Sequence, residues 1–177
     1  MNKQLIFVFF ILFSGCKVFN IESQKFNKKI NQSTIHAHLL FEPNVLAVNK
    51  LNTKIRFLED SIIMSTYPFL GIEVLRITVT DNTILIDQKI TNNSEFIQPK
   101  TIDPNFKLSN IKKLFFQSTR QKDTIFYSND YISFLLTDYV NNKNIFLPKK
   151  IIYWESDLIN KPVSKKTINI DYRSVNF

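Results

Sequence analysis

Glycine and cysteine are scarce in this chain: among 177 residues, 2 are glycine and 1 is cysteine. The glycines are Gly15 and Gly71, far apart in the sequence. Phosphate-binding loops, the G-x-G-x-x-G fingerprint and the G-x-S-x-G nucleophile elbow all need closely spaced glycines, so they are excluded. A single cysteine also excludes a disulfide framework and a cysteine-rich zinc site.

Metal-ligating and paired acidic residues are equally sparse. His36 and His38 alternate on a predicted strand and point to one face. Zinc needs three or four protein ligands, so we interpret the pair as sheet-surface histidines and predict neither a metal nor a cofactor.

Carboxylates are scattered, and none stands beside a partner that would raise its pKa. Those on predicted turns or exposed faces include Asp60, Asp87, Asp123 and Asp171. The sequence therefore predicts a protein that is not an enzyme, with a hydrolase as the weakest of three hypotheses.

The N-terminus has the pattern of an export signal. Lys3 precedes a short apolar run, Leu5–Phe13, and then Ser14-Gly15-Cys16. The run is shorter than the about 20 residues that span a bilayer, and such an arrangement is typical of a cleaved signal. Residues 1–15 are thus a predicted lipoprotein signal peptide, with Cys16 as the lipidated residue. An ordinary signal with a chance cysteine is the alternative.

Residues 16–32 follow as the lipidated cysteine, a tether and a short helix, because Phe19, Phe26 and Ile30 fall near one helical face. The helix either packs on the sheet or lies on a membrane surface. Residues 33–177 form one predicted domain, since this length supports a single core.

The central stretch reads as a three-stranded meander. Pro68 ends the first strand, Gly71 supplies a reversal with positive φ, and Asp81-Asn82 forms the second turn. The predicted strands are Ile62–Tyr67, Ile72–Thr80 and Ile84–Asp87. Alternation along the second strand places Glu73 and Arg76 on opposite faces, so Glu73 is either a buried, paired charge near a cavity mouth or a solvated one.

Strands also dominate the rest of the domain. Asn92–Lys100 is predicted as a loop, and Asp103-Pro104 as the start of a helix that ends near Gln117. The other predicted strands are Thr34–Phe41, the second half of Leu46–Leu58, Thr124–Tyr127, Tyr131–Tyr139, Ile145–Trp154 and Lys166–Val175. This order predicts an α+β fold with a curved antiparallel sheet, a half-barrel covered by one or two helices.

A resemblance rests on the central stretch. Its residues are Ser65, Tyr67, Pro68, Leu70-Gly71-Ile72-Glu73, Arg76, Thr80-Asp81 and Ile86-Asp87. They resemble the signature of a Bacteroidetes-type lipoprotein family of unknown function, similar in fold to the lipoprotein-localisation carriers LolA and LolB. The outer-membrane carrier has Pro-Leu-Gly at this turn, whereas here Phe69 stands between Pro68 and Leu70.

The resemblance implies a lipid-anchored envelope protein, most simply at the outer membrane facing the periplasm. Its half-barrel would bind acyl chains or lipoproteins, with a periplasmic carrier as a possible partner. The residues expected to contact ligand or membrane are Tyr67, Phe69, Leu70, Glu73 and Arg76. The turn at Leu70 either protrudes or folds back on the core.

The chain is basic, with a formal net charge of +8. The charge is either a solvated surface or a means of attracting anionic lipid or an acidic partner. Dispersed basic residues without a recognition motif do not indicate nucleic-acid binding. The alternative function is therefore a non-enzymatic structural or assembly lipoprotein that docks on another envelope protein through its basic surface.

Overall fold

The computed structural model describes residues 29–42, 50–68, 70–117, 124–128, 132–155 and 165–177. The predicted signal peptide, Cys16 and the predicted tether helix up to residue 28, together with Phe69, lie outside the described residues. Within the described part, ten strands form one antiparallel sheet.

Most of the predicted strands are confirmed, with ends that differ by a few residues. The strands are β1 (Thr34–Glu42), β2 (Lys50–Phe57), β3 (Ile62–Thr66), β4 (Leu75–Val79), β5 (Ile84–Gln88), β6 (Asn93–Ile97), β7 (Thr124–Ser128), β8 (Ile132–Asn142), β9 (Ile145–Glu155) and β10 (Lys166–Asn176). Two helices lie between β6 and β7, the short α1 (Pro99–Ile102) and α2 (Leu108–Phe115).

The strand order is β6-β5-β4-β3-β2-β1-β10-β9-β8-β7. The chain meanders from β1 out to β6, and the helical segment leads to β7 at the opposite edge. It then returns to β10, which pairs with β1 at the centre. The sheet is open, since the two outermost described strands, β6 and β7, pair on one side only. The antiparallel α+β prediction is confirmed at this level, although the helical cover is minor.

The core lies on one face of the sheet, here called the core face. Ile35, Ala37 and Leu39 alternate along β1 and are all buried on it. Helix α2 ends against this face, where the ring of Phe116 packs edge-on against Phe57 with centroids 4.5 Å apart. Full burial of one such side chain contributes about 1.5–3 kcal/mol. The aromatic residues at the end of this helix therefore belong to the core.

The hairpin of β8 and β9 closes over the same core. Its turn has positive φ at both Lys143 and Asn144, 51° and 66°, as a two-residue hairpin turn requires. Leu147 in the first half of β9 is fully buried in the core cluster. Phe146 forms a two-way backbone bridge with Gln117, directly after α2. Helix and hairpin therefore cover the middle of the core face together.

Two predictions between β5 and α2 are wrong. The stretch predicted as a loop contains edge strand β6, whose side chains are mostly exposed. Asp103 does not begin the long helix: its Oδ1 accepts from the N–H of Asn105 at 2.9 Å within a turn. Helix α2 starts at Leu108, whose N–H instead donates to Asp81 Oδ1 at 2.6 Å, from the turn between β4 and β5.

The turn between β3 and β4 is longer than predicted. Gly71 has the expected positive φ of 72°, and Leu70 before it has a φ of 48°. Strand β4 begins only at Leu75, and the Val74 N–H also donates to the carbonyl oxygen of Thr66, which is paired with Leu75. This irregularity removes Glu73 from the regular strand, so the prediction that Glu73 and Arg76 alternate across it is wrong.

Candidate functional site

An apolar strip lies on the core face toward the β6 edge. The pairing register aligns Ile77 with Ile86 and continues the row that begins at Met64 on β3. The strip consists of Leu75, Ile77, Ile84, Ile86 and Ile97, all of them half-buried. Equivalent positions near α2, such as Ile35 and Phe57, are fully buried. The described elements therefore cover the strip less completely than they cover the core face near α2.

Three exposed apolar side chains lie at one end of the sheet. Leu70 is 97% exposed and Ile72 62% in the β3–β4 turn, and Ile90 is 76% exposed in the β5–β6 turn. Alternate hairpin turns fall at the same end of a meander, and the Lys89 N–H donates to the Val74 carbonyl at 3.0 Å between these two turns. We call Leu70, Ile72 and Ile90 the apolar tip. Ile90 was missed from the sequence because a lone isoleucine in a polar turn has no periodic signal.

Glu73 and Arg76 form the base of this tip. Arg76 Nη2 and Nε donate to the two carboxylate oxygens of Glu73 at 2.6 and 3.0 Å. The hydrogen bond from Arg76 holds the pKa of Glu73 below its ordinary value, and the same bond raises the pKa of Arg76. The structure thus brings these two predicted site residues together as an ion pair that closes the turn.

Tyr67 lies on the outer face of the sheet, the face opposite the core, beside Arg76 at the base of the tip. It is half-buried and borders a hollow on this outer face. Its backbone N–H donates to the Asn52 carbonyl at 2.8 Å, which continues the β2–β3 pairing. The candidate residues Phe69 and Cys16 lie outside the described residues.

A polar cradle lies at the opposite end of the sheet, under α2. Lys112 is only 7% exposed, and burial lowers the pKa of its ammonium group. Its Nζ donates to Asn31 Oδ1 at 2.8 Å, to the Glu59 carbonyl at 3.0 Å and to the carbonyl of Leu58. A cavity of about 290 Å³ beside it is also bordered by Asp81. Since Lys112 is saturated with acceptors, we interpret this end as structural.

No protein-family model matches this chain, and a search of curated proteins finds no relative. In the described part of the chain, no group of three or more histidine, cysteine or acidic side chains is placed to hold a metal ion. Nor is any helix among the described residues long and apolar enough to cross a membrane. The strip and the tip are therefore the features on which a function can be argued.

Proposed function

We propose that this protein is an envelope lipoprotein, anchored through acylated Cys16, whose open sheet is a half-barrel similar to LolA and LolB. Its core face would hold an acyl chain or the lipid of a lipoprotein. The observation that carries the proposal is the half-buried strip, Leu75, Ile77, Ile84, Ile86 and Ile97, beside a fully buried core.

The physical reason is the cost of leaving branched apolar side chains partly in water. Burial is worth about 0.8 kcal/mol for each methylene group. An acyl chain laid along the strip would bury apolar surface that the described elements leave partly in water, and this burial would favour binding. Hydrophobic-ligand sites are typically lined by apolar side chains with few polar groups. The strip offers such apolar contact along β4 and β5, and its row ends at Glu95, which lies opposite Ile86 on the same face and is exposed at the β6 edge.

Filling the strip tests the proposal. Ile77→Trp should lower the affinity of the full chain for a fluorescent fatty acid such as cis-parinaric acid by about tenfold or more, because the ring occupies the space the tail would use. Thr78→Trp places the same ring on the outer face of the same strand and should leave binding unchanged. If the wild-type chain gives no probe signal, or if both variants lose it equally, the proposed ligand site is wrong.

The apolar tip would serve as a second contact with the membrane. Leu70, Ile72 and Ile90 are exposed, and Lys89 stands beside Ile90 in the chain. Apolar side chains next to a cation are the combination that favours the boundary between lipid headgroups and acyl chains. The Glu73–Arg76 ion pair would hold the tip in shape without entering the membrane.

A single labelled thiol tests the tip. With Cys16 acylated, Leu70→Cys introduces the only free thiol of the chain, to which an environment-sensitive fluorophore can be attached. In vesicles carrying nitroxide-labelled lipid, the label at residue 70 should be strongly quenched. Leu58→Cys, in the β2–β3 turn at the opposite end of the sheet, is the control and should stay unquenched. Equal quenching at both positions would exclude membrane contact through the tip.

The alternative is a structural or assembly lipoprotein that docks through its basic surface. The alternating side chains Lys50, Lys54 and Arg56 of β2 lie on the outer face, which supports this candidate. The presence of a ligand on the core face distinguishes the two candidate functions. A docking protein needs no ligand there, so it would neither bind the probe nor respond to Ile77→Trp.

A further inference from the structure

The pairing of β10 with β1 is irregular near the centre of the outer face. The pairing of β1 with β10 shifts between His36 and Ala37: His36 lies opposite Ser174, and Ala37 opposite Tyr172. Arg173 is the extra residue of this bulge. Arg173 lies on the outer face with Asn169 and Asp171, as the alternation of β10 requires, and it borders a hollow there. The bulge brings the next residue, Ser174, to the same face.

Residues whose side chains can donate hydrogen bonds border this hollow from neighbouring strands. Its volume is about 190 Å³. The polar side chains that border it are His36, His38, Asn52, Lys54, Tyr67 and Arg173. The β1–β2 register places His36 directly opposite Lys54 and His38 opposite Asn52. Residues that carry two permanent cations, two imidazoles, an amide and a phenol therefore border one small space.

The carboxylate of Asp171 lies close by and does not border the hollow. Asp171 Oδ2 is 3.4 Å from His38 Nδ1 and 3.9 Å from Arg173 Nη1. The Asp171 side chain is about half exposed, so water screens its charge. Lys54 and Arg173 thus leave the hollow with positive charge, and the buried His38 Nδ1 beside it makes no hydrogen bond to a described residue.

We propose that this hollow binds a phosphate group. A phosphate offers several terminal oxygens in a tetrahedral arrangement, which can accept from donors that approach from different strands, whereas a carboxylate is planar. Arginine and lysine are the side chains that recognise phosphate best, arginine as a fork and lysine as a point charge. The site lies on the face opposite the apolar strip, so it does not depend on the proposed lipid site.

The test is the phosphate dependence of thermal unfolding of the full chain in an uncharged detergent. Inorganic phosphate should raise the melting temperature above that in chloride of equal ionic strength, because a ligand that binds the native state stabilises it. Arg173→Gln and, separately, Lys54→Gln should each raise the dissociation constant by about tenfold. Lys50→Gln removes the same charge from the same face of β2 outside the hollow and should have no effect.

Two results would overturn the site. The first is no difference between phosphate and chloride for the wild-type chain. The second is a phosphate effect that Lys50→Gln weakens as much as Arg173→Gln does, since that would be a general response to net charge.

Vesicles distinguish the two sources of a phosphate group. The full chain is reconstituted in phosphatidylcholine vesicles with and without phosphatidic acid. If the effect of added inorganic phosphate persists in both, the ligand is a free phosphate compound. If phosphatidic acid abolishes it in the wild-type chain, the headgroup already occupies the hollow and the ligand is a lipid. Absence of the effect in both vesicles and in detergent contradicts the proposal.

Discussion

Tyr172 connects the central strand β10 to the hairpin that closes the core. Its hydroxyl donates to the Pro148 carbonyl at 2.6 Å. Pro148 has no N–H for the ladder, and its carbonyl oxygen is satisfied by this side-chain donor from the neighbouring strand. Burial raises the pKa of Tyr172 well above its ordinary value, and burial likewise raises the pKa of Tyr139 to about 12.

These pKa values predict how stability changes at alkaline pH. A tyrosine with a raised folded-state pKa contributes stability that is complete below the unfolded-state pKa, about 10, and is lost as pH rises above it. For Tyr172 the loss is about 1.4 kcal/mol for each pH unit. Tyr172→Phe should therefore cost about 1–2 kcal/mol at pH 7, where it removes a hydrogen bond. Its deficit relative to wild type should shrink above pH 10.

Urea unfolding of both chains at a series of pH values between 7 and 11 measures this difference. Tyr139→Phe serves as a companion, because its contribution should vary in the same direction and end near pH 12. A deficit of Tyr172→Phe that stays constant through pH 11 would show that the phenol is not buried in the native state.

Single residues also show what the sequence could not predict. Glu73 and Arg76 looked like alternating strand residues, but the irregular pairing of Val74 and Leu75 with Thr66 lets them form an ion pair. Lys112 is followed by a second lysine, Lys113, in the same helix, and nothing in the sequence indicates that Lys112 is buried. Its acceptors come from segments 53 to 81 residues away. Contacts of that range depend on the tertiary fold, which local patterns do not encode.

At the scale of elements, α2 is attached to the sheet by polar contacts at its start and by aromatic packing at its end. The Asp81 carboxylate accepts from the first residue of the helix and places negative charge at its positive end. Lys112 ties the helix to the β2–β3 turn and to Asn31. The Phe115 and Phe116 rings then pack on Phe57.

Removing the lysine tie should loosen the helix. Lys112→Met keeps much of the side-chain volume but leaves the acceptors at Asn31, Leu58 and Glu59 without their donor, at a cost of about 1–3 kcal/mol in unfolding free energy. Lys113→Met, the exposed neighbour, should change stability by less than about 0.5 kcal/mol. Denaturant unfolding of both variants checks this, and equal midpoints would contradict the role given to Lys112.

Elements with a clear hydrophobic pattern could be predicted from the sequence. Elements whose position depends on contacts with distant segments could not. Alternating side chains identified β1, whose core-side residues are buried, and short apolar runs identified β3 and β5. Strand β6, Asn93–Ile97, has mostly exposed side chains at the edge of the sheet, so it carries no such pattern. The start of α2 was misplaced because Asp103-Pro104 resembles a helix start, while the actual cap, Asp81, lies 27 residues earlier.

At the scale of the whole molecule, the two faces of the sheet differ in chemistry. The core face is apolar, and it is covered in the middle by α2 and the β8–β9 hairpin and less so along the strip near β6. The outer face carries basic side chains from β1, β2 and β10 around the hollow of about 190 Å³. The apolar strip itself was predictable, since Leu75 and Ile77 lie two residues apart on β4, and Ile84 and Ile86 lie two residues apart on β5. Its half-burial depends on where α2 lies, which the sequence does not reveal.

The most direct test of the central claim is native mass spectrometry of the full chain, expressed in a bacterial host and extracted from its envelope in an uncharged detergent. The account predicts a chain mass with covalent acyl groups on Cys16, together with a further lipid mass that dissociates on collisional activation. Ile77→Trp should keep the covalent mass and lose the second one. A spectrum with no dissociable lipid, identical for the wild-type chain and Ile77→Trp, would contradict lipid binding on the core face and favour the docking protein.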